Sequence, residues 1–315
     1  MILDRLIDQI IQKQNPTALG LDTRLEYLPE EMLKSFHPQQ GDFKEAGKLV
    51  LAFNKALIDG LHEIVPCVKL QVAYYEMYGH HGMKAYYKTI DYAHEKGLIV
   101  IADAKRNDIG ATCAAYANAY LGTAPMIDKS PFSADFVTVT PYLGSDGILP
   151  FVDVCESNNK GIFVLVKTSN PSSGELQDIN IDGEPLYMKV GRNVKEWGKG
   201  LIGRYGYSAV GAVVGATYSE QAQQLRDALD TVFFLIPGYG AQGATGKDIV
   251  ASFDTRGLGG VVNASRSIIC AHQKEAYQTE NFVDAAKAAA LAMKEDILES
   301  LQQAGRPLTK EVIKK

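Results

Sequence analysis

Eight short apolar runs, most of them followed by a stretch with helical spacing, predict an α/β fold for this chain of 315 residues, a single (β/α)8 TIM barrel with an extra N-terminal helix and long βα loops. A composition of 46% hydrophobic, 9% aromatic and 22% charged residues is that of a globular chain and excludes disordered, collagenous and coiled-coil readings. The runs are apolar throughout instead of alternating, which marks strands buried on both faces under helices. A doubly wound sheet would more often show about six strands. Residues 1–315 are therefore expected to form one barrel domain, with the polar tail 306–315 fraying.

The elements follow in order. MILDRLIDQIIQKQ sets Asp4, Arg5 and Asp8 among apolar residues, the pattern of an amphipathic helix and not of a signal peptide. The first four strands are TALGLD (17–22), CVKLQ (67–71), LIVIADAK (98–105) and DFVTVTP (135–141). GIFVLVKTS (161–169), AVGAVVGATY (209–218), FFLIPG (233–238) and LGGVVNASRS (258–267) complete the set. Between them, 42–64, 73–96, 108–121, 145–158, 185–204, 219–229 and 281–303 carry apolar residues at three-and-four spacing and read as helices. The unit after the seventh run is weaker, with about two turns near Lys247 to Ser252. The extra length sits in 23–41 and 170–185, both βα loops, on the face where such barrels carry chemistry.

Charge and cysteine usage narrow the partners. Basic residues number 32 and acidic ones 37, a net charge of −5 with no strongly basic half, so neither nucleic acid nor an anionic membrane is implied. No apolar run is long enough to cross a bilayer. Cys67, Cys113, Cys155 and Cys270 form no CxxC pair, which suggests neither a zinc site nor a disulfide framework and points to a reducing cytoplasm.

Catalytic groups of a barrel come from the C-terminal ends of its strands. Here those ends are polar: Asp22, Lys69 with Gln71, Asp103 with Lys105, then Thr140, Ser169, Thr217 and Arg266. Isolated charges at one rim would be expensive to desolvate, whereas alternating signs can pair. In IADAKRNDIGAT, Asp103 and Lys105 stand two apart on a strand and leave on the same face, with Asp108 in the following turn or first helical position. An isolated DxK is more often a structural ion pair; its place at the end of the third strand favours a site.

IPGYGAQGATG, 236–246, contains Gly238, Gly240 and Gly243 and so fits GxGxxG. A dinucleotide site would need an acid at the end of the next strand, where Ser265 and Arg266 stand instead. A phosphate cradle built after strands seven and eight explains the glycines better, and Arg266 adds a permanently charged fork. His80 and His81 read as surface histidines, Trp197 as a packing residue, and Tyr74, Tyr75 and Tyr78 as a helix face.

DAKRNDI has the DxKxxDI form, and LGLD, VKLQ, TPYLG, IPGYGAQG and ASRSI accompany it in order, so the chain resembles the orotidine 5′-phosphate decarboxylases, in particular their longer bacterial subgroup. The resemblance implies catalysis by Lys105, Asp103, Asp108 and Lys69, without metal or cofactor, on a nucleoside monophosphate. It implies that Asp22 and Lys69 hold the ribose hydroxyls, and that Asp108 and Thr112 reach into the site of a second subunit across a homodimer. Ser169 would meet the pyrimidine and Gln242 would link base or ribose to phosphate. Pro237, Gly238, Gly240, Gly243 and Ser265 would surround the phosphate that Arg266 clamps. Two rival readings are a magnesium-dependent sugar-phosphate decarboxylase or aldolase resembling 3-keto-gulonate-phosphate decarboxylase or hexulose-phosphate synthase, and a catalytically silent nucleotide-binding barrel.

Overall fold

The computed structural model describes residues 1–34, 36, 42–240, 243–277 and 281–313. Eight parallel strands close a barrel: β1 (Thr17–Gly20), β2 (Cys67–Gln71), β3 (Ile99–Arg106), β4 (Phe136–Val139), β5 (Gly161–Lys167), β6 (Ser208–Val214), β7 (Val232–Pro237) and β8 (Gly260–Ala264). Closure runs through β1, whose Ala18 pairs with Cys67 of β2 on one side and Asn263 of β8 on the other. Every residue of β1, β4, β6 and β8 is buried, which is why these runs read as continuously apolar. Phe136 and Phe163 fill part of the interior, with ring centroids 5.1 Å apart.

The helices are α1 (Ile2–Lys13), α2 (Phe43–Leu61), α3 (Gly79–Glu95), α4 (Gly110–Tyr120), α5 (Leu149–Asn158), α6 (Leu186–Trp197), α7 (Ser219–Ala228) and α8 (Phe282–Gln303). Asp42 caps α2 by accepting from the Lys44 and Glu45 amides. The single helix expected over 73–96 is broken into Ala73–Glu76 and α3. The break is at Gly79, whose φ of 60° lies in the left-handed region, and it leaves Tyr75 fully buried with its hydroxyl donating to Leu21 O at 3.0 Å. After β7 come one helical turn, Gly246–Ile249, and a 3-10 turn, Val250–Ser252, the short unit the sequence indicates.

One end of the barrel is sealed. The apolar face of α1, Ile2, Leu3, Leu6, Ile7, Ile10 and Ile11, is buried. Its Lys13 ammonium donates to His62 O and Val65 O ahead of β2, and Asp8 accepts from Tyr205 ahead of β6, so α1 lies over the N-terminal ends of the strands. The tail expected to fray is docked there as far as Ile313: Arg306 donates to Val250 O and Phe253 O, Thr309 N–H to Arg256 O at 2.9 Å, and Leu308 is buried. Polar residues in that tail serve as anchors, which composition does not reveal. The loops 23–34 and 170–185 rise at the opposite, C-terminal ends. The first holds turns at Leu25–Tyr27 and Glu30–Leu33; the second holds turns at Pro171–Ser173 and Gly174–Gln177 and a two-residue ribbon pairing Asn180–Ile181 with Glu184–Pro185. The four cysteines are free and buried, and no helix among the described residues is long and apolar enough to cross a membrane.

Candidate active site

A cavity of about 770 Å³ opens at the C-terminal ends of the strands. Asp22, Lys69, Asp103 and Lys105 line one side, Pro237, Gly238, Ser265 and Arg266 another, and Thr168, Ser169, Asn170 and Gln177 a third. Eight strand ends point to one place, so residues from 22 to 266 meet there.

The charged side is a continuous array. The Lys69 ammonium lies 3.4 Å from Asp22 Oδ1 and 2.9 Å from Asp103 Oδ2, and the Lys105 ammonium lies 2.6 Å from Asp103 Oδ1. Asp103 is held by four donors, since its Oδ2 also accepts from Gln71 Nε2 at 3.1 Å and its Oδ1 from the Thr138 hydroxyl at 2.9 Å. Burial alone would push the Asp103 carboxyl up, but the Lys69 and Lys105 charges outweigh it and hold it below the usual carboxylate range. Burial would pull the Lys69 ammonium down; Asp103 and Asp22 reverse that and raise it. Both groups are therefore charged at neutral pH. Lys105 differs in being 45% exposed, so its ammonium faces the open cavity while one of its three protons is engaged.

Regular strand alternation is not what aims Lys105. Ala102 pairs with Val137 and Arg106 with Val139, so Asp103, Ala104 and Lys105 stand opposite Thr138 alone, a bulge. Lys105 takes φ 50° there, a left-handed conformation that costs a non-glycine residue ~1–2 kcal/mol. The Thr138 hydroxyl oxygen accepts from the Ala104 and Lys105 amides, each at 3.0 Å, and its proton goes to Asp103. One side chain thus fixes both the bulge and the carboxylate beside it.

On the second wall, Gly238, Gly240 and Gly243 have φ of 111°, 70° and 91°, a path open only to glycine. The Gly240 amide donates to Ala244 O at 2.8 Å and the Gly243 amide to Gly240 O at 3.0 Å, so these two glycines shape the loop with their N–H groups engaged inside it. Gly238 reaches the cavity wall, beside Arg266 in the first turn of the short helix Arg266–Ile269. Ser265 is tied to the charge array, its hydroxyl donating to Asp22 Oδ2 at 2.8 Å. Gln242 lies outside the described residues.

The third wall is braced by its own loop. Gln177 accepts from the Thr168 amide at 2.9 Å and donates to its hydroxyl at 2.7 Å. Beneath them the fully buried Lys167 pairs with Asp178 at 2.6 Å. Ser169 comes close because residue 215 is glycine: a Cβ there would stand 2.8 Å from the Ser169 amide.

Asp108 and Thr112 are not brought into this cavity. Asp108 precedes α4 and accepts from the Ile109 amide at 2.8 Å, and Thr112 is exposed on α4. The four-membered array within one chain is therefore Asp22, Lys69, Asp103, Lys105, with Asp108 apart. Thr140 and Thr217 stand outside the lining too, whereas Thr138, Asn263 and Tyr74 belong to it. Thr138 was discoverable as an inward residue of TVT; Asn170 and Gln177 carry no signal, since both lie inside the irregular loop 170–185, where no long strand or helix period fixes a side chain. Trp197 donates from Nε1 to Ser145 at 3.1 Å, and His80 is exposed beside His81, in keeping with packing and surface roles.

The orotidine 5′-phosphate decarboxylase / HUMPS family model matches residues 51–280. Among curated relatives, an orotidine 5′-phosphate decarboxylase of Rhodopirellula baltica is 45% identical over 292 residues, 91% of this chain and 96% of the relative. One of Clostridium perfringens is 41% identical over 302 residues, 96% of this chain and 99% of the relative. Of solved structures, the OMP decarboxylase of Leishmania donovani superposes with a TM-score of 0.70 at 26% identity, covering 94% of this chain and 98% of that one. The shared barrel, the full-length identity and the family match together establish that this chain belongs to the orotidine 5′-phosphate decarboxylase / HUMPS family.

Proposed function

We propose that the chain converts orotidine 5′-monophosphate to uridine 5′-monophosphate and carbon dioxide, a step of pyrimidine synthesis, using its own side chains and no cofactor. The observation that carries this is the Asp22, Lys69, Asp103, Lys105 array facing Gly238 and Arg266 across a single cavity. The relatives named above support this substrate over a sugar phosphate. The array itself agrees, because Asp22 and Asp103, the carboxylates a divalent ion would need, are already bridged by the Lys69 ammonium.

Loss of the carboxylate leaves a carbanion-like ring carbon without a conventional electron sink, which demands a barrier reduction near the upper part of the enzyme range, roughly 20 kcal/mol. Asp103, kept ionised by four donors, would repel the substrate carboxylate; two like charges 4 Å apart contribute only ~4 kcal/mol at an effective protein dielectric. Lys105 has the larger share. An ammonium fixed by Asp103 neutralises charge as it develops and then transfers a proton to the carbon. The phosphate lies remote from the reacting carbon, and its binding energy closes the loops over the array.

In the same reading the active unit is a cytoplasmic homodimer whose sites are shared, Asp108 and Thr112 completing the neighbour's cavity. Exposed apolar side chains at both ends of α4, Ile109 next to Asp108 and Met126 and Ile127 beyond Tyr120, together with Tyr142 after β4, fit a surface that a second copy covers. The test is turnover of orotidine 5′-monophosphate followed by absorbance, with Lys105→Ala as the control. The variant should lose turnover and still bind uridine 5′-monophosphate; substantial residual activity would remove Lys105 from its role.

A further inference from the structure

We propose that Asp296, on α8 and outside the cavity, is a positioning residue that holds the anion-facing loop at both ends and thereby sets affinity for the phosphate of the ligand. The inference rests on the phosphate reading of that loop given above. A single carboxylate oxygen, Asp296 Oδ2, accepts from the Tyr239 hydroxyl at 2.7 Å and from the Gly246 amide at 2.7 Å. Tyr239 stands at the start of the glycine-rich loop and Gly246 at its end. Between them, Tyr239 and Ala244 form a bridge and Thr245 caps the following turn with Asp248, so the clamp closes a loop that is already folded back on itself.

The approach of α8 is specific. At residue 246 a Cβ would lie 2.5 Å from both Asp296 O and Ser300 Oγ, so only glycine lets the helix come this near. Tyr239 is the wall between the main cavity and a small one of about 140 Å³ that Ser267, Lys274 and Met293 also line. Burial and the bond to Asp296 push its hydroxyl well above the ordinary phenol range, which keeps it protonated as a donor. Gly240 and Gly243, both at positive φ between the two ends of the clamp, give this stretch backbone freedom that would otherwise be lost on binding an anion. Two charge-assisted bonds from one rigid helix remove that freedom beforehand.

Binding of uridine 5′-monophosphate and of uridine is compared by calorimetry in the full-length protein, its Asp296→Ala, Asp296→Asn and Tyr239→Phe variants. Asp296→Ala should weaken uridine 5′-monophosphate about tenfold and leave uridine within about twofold. In turnover it should raise KM by the same factor with kcat within about twofold. Asp296→Asn keeps an oxygen that can accept both bonds and should recover most of the loss, while Tyr239→Phe, which removes one bond and preserves the ring, should cost the nucleotide about threefold. Equal losses for nucleotide and nucleoside, or none for either, would overturn the proposal. If Asp296→Ala does not fold, Tyr239→Phe decides, and unchanged nucleotide affinity in that variant would overturn it as well. The binding comparison needs no turnover, so a wild-type protein without decarboxylase activity would sink the reaction assigned above and still leave Asp296 to be judged.

Discussion

Thr138→Val removes one hydroxyl and almost no volume, and the structure makes that loss unusually expensive. The oxygen accepts from two backbone amides of β3, Ala104 and Lys105, and its proton is donated to Asp103. Leaving a buried donor without a partner costs ~1–3 kcal/mol, so the two amides together amount to about 2–4 kcal/mol once partial water access at Lys105 is allowed for. In a chain of this length that corresponds to a fall in Tm of roughly 5 °C. The kinetic effect should be larger. Without the hydroxyl the bulge relaxes toward regular pairing, and the left-handed φ at Lys105 loses what sustains it. A displacement of the ammonium by about 1 Å costs on the order of 100-fold in turnover. Absorbance-monitored decarboxylation and thermal unfolding measure the two effects, and Thr138→Ser, which keeps the hydroxyl, should restore both. A Val variant with wild-type kcat would refute the reasoning even if its Tm fell, because the bulge would then be held by something else.

Three further outcomes are expected. Arg266→Ala should weaken binding of phosphorylated ligands about 10–100-fold, as removal of a charge-assisted fork does, and unchanged affinity in a titration with uridine 5′-monophosphate would reject its assignment. Heterodimers that combine one subunit carrying Lys105→Ala with one carrying Asp108→Ala should regain part of the activity that each homodimer lacks; verified mixtures that stay inactive would mean self-contained sites. At the sealed end, burial would raise the Asp135 carboxyl, but the His94 hydrogen bond, the Lys160 charge and the Val100 amide lower it below its ordinary value. Its contribution to stability is therefore full above the unfolded carboxylate value, about pH 4, and is lost as pH falls through the depressed folded value. Denaturant titrations from pH 6 down to 3 should show Asp135→Asn with a flatter acid limb than wild type, and parallel curves would exclude the linkage.

The barrel was legible because its strands are buried on both faces, which writes each as an unbroken apolar run such as SAVGAVV in β6. The charged half of the site was legible for a related reason: Lys69 and Asp103 are buried ions, and a buried ion at the end of an apolar run has few structural explanations. What stayed hidden depends on backbone irregularity or on distance. Strand alternation alone places Asp103 and Lys105 on one face, yet the contact between them is made through a bulge that only the β3–β4 register reveals. Asp108 illustrates the limit in the other direction, since nothing in DAKRNDI separates a group that joins the local array from one that stands apart on the way into α4. Asp296 lies on a helix read from spacing alone, 57 residues from the tyrosine it holds.

The two halves of the cavity are physically continuous, and this bears on how remote binding can serve chemistry. Starting at β8, Asn263 leans on Ser265, whose hydroxyl donates to Asp22; Asp22 faces Lys69, Lys69 bonds Asp103, and Asp103 bonds Lys105. Arg266 is the next residue after Ser265, so the group proposed to meet the phosphate is joined by a peptide bond to a member of the chain. The link closes only because residue 20 is glycine: a Cβ there would lie 1.9 Å from the Ser265 hydroxyl. A ligand that pulls Arg266 into register therefore sets Ser265, and through it the carboxylate that orients Lys69. The three middle bonds of the series join the ends of neighbouring strands of the closed barrel, β8 to β1, β1 to β2 and β2 to β3, so the array cannot shift at one of these members without straining the pairing beneath it. Rigidity of that kind is what electrostatic stabilisation requires, because charges that must reorganise during the reaction return the advantage that their placement confers.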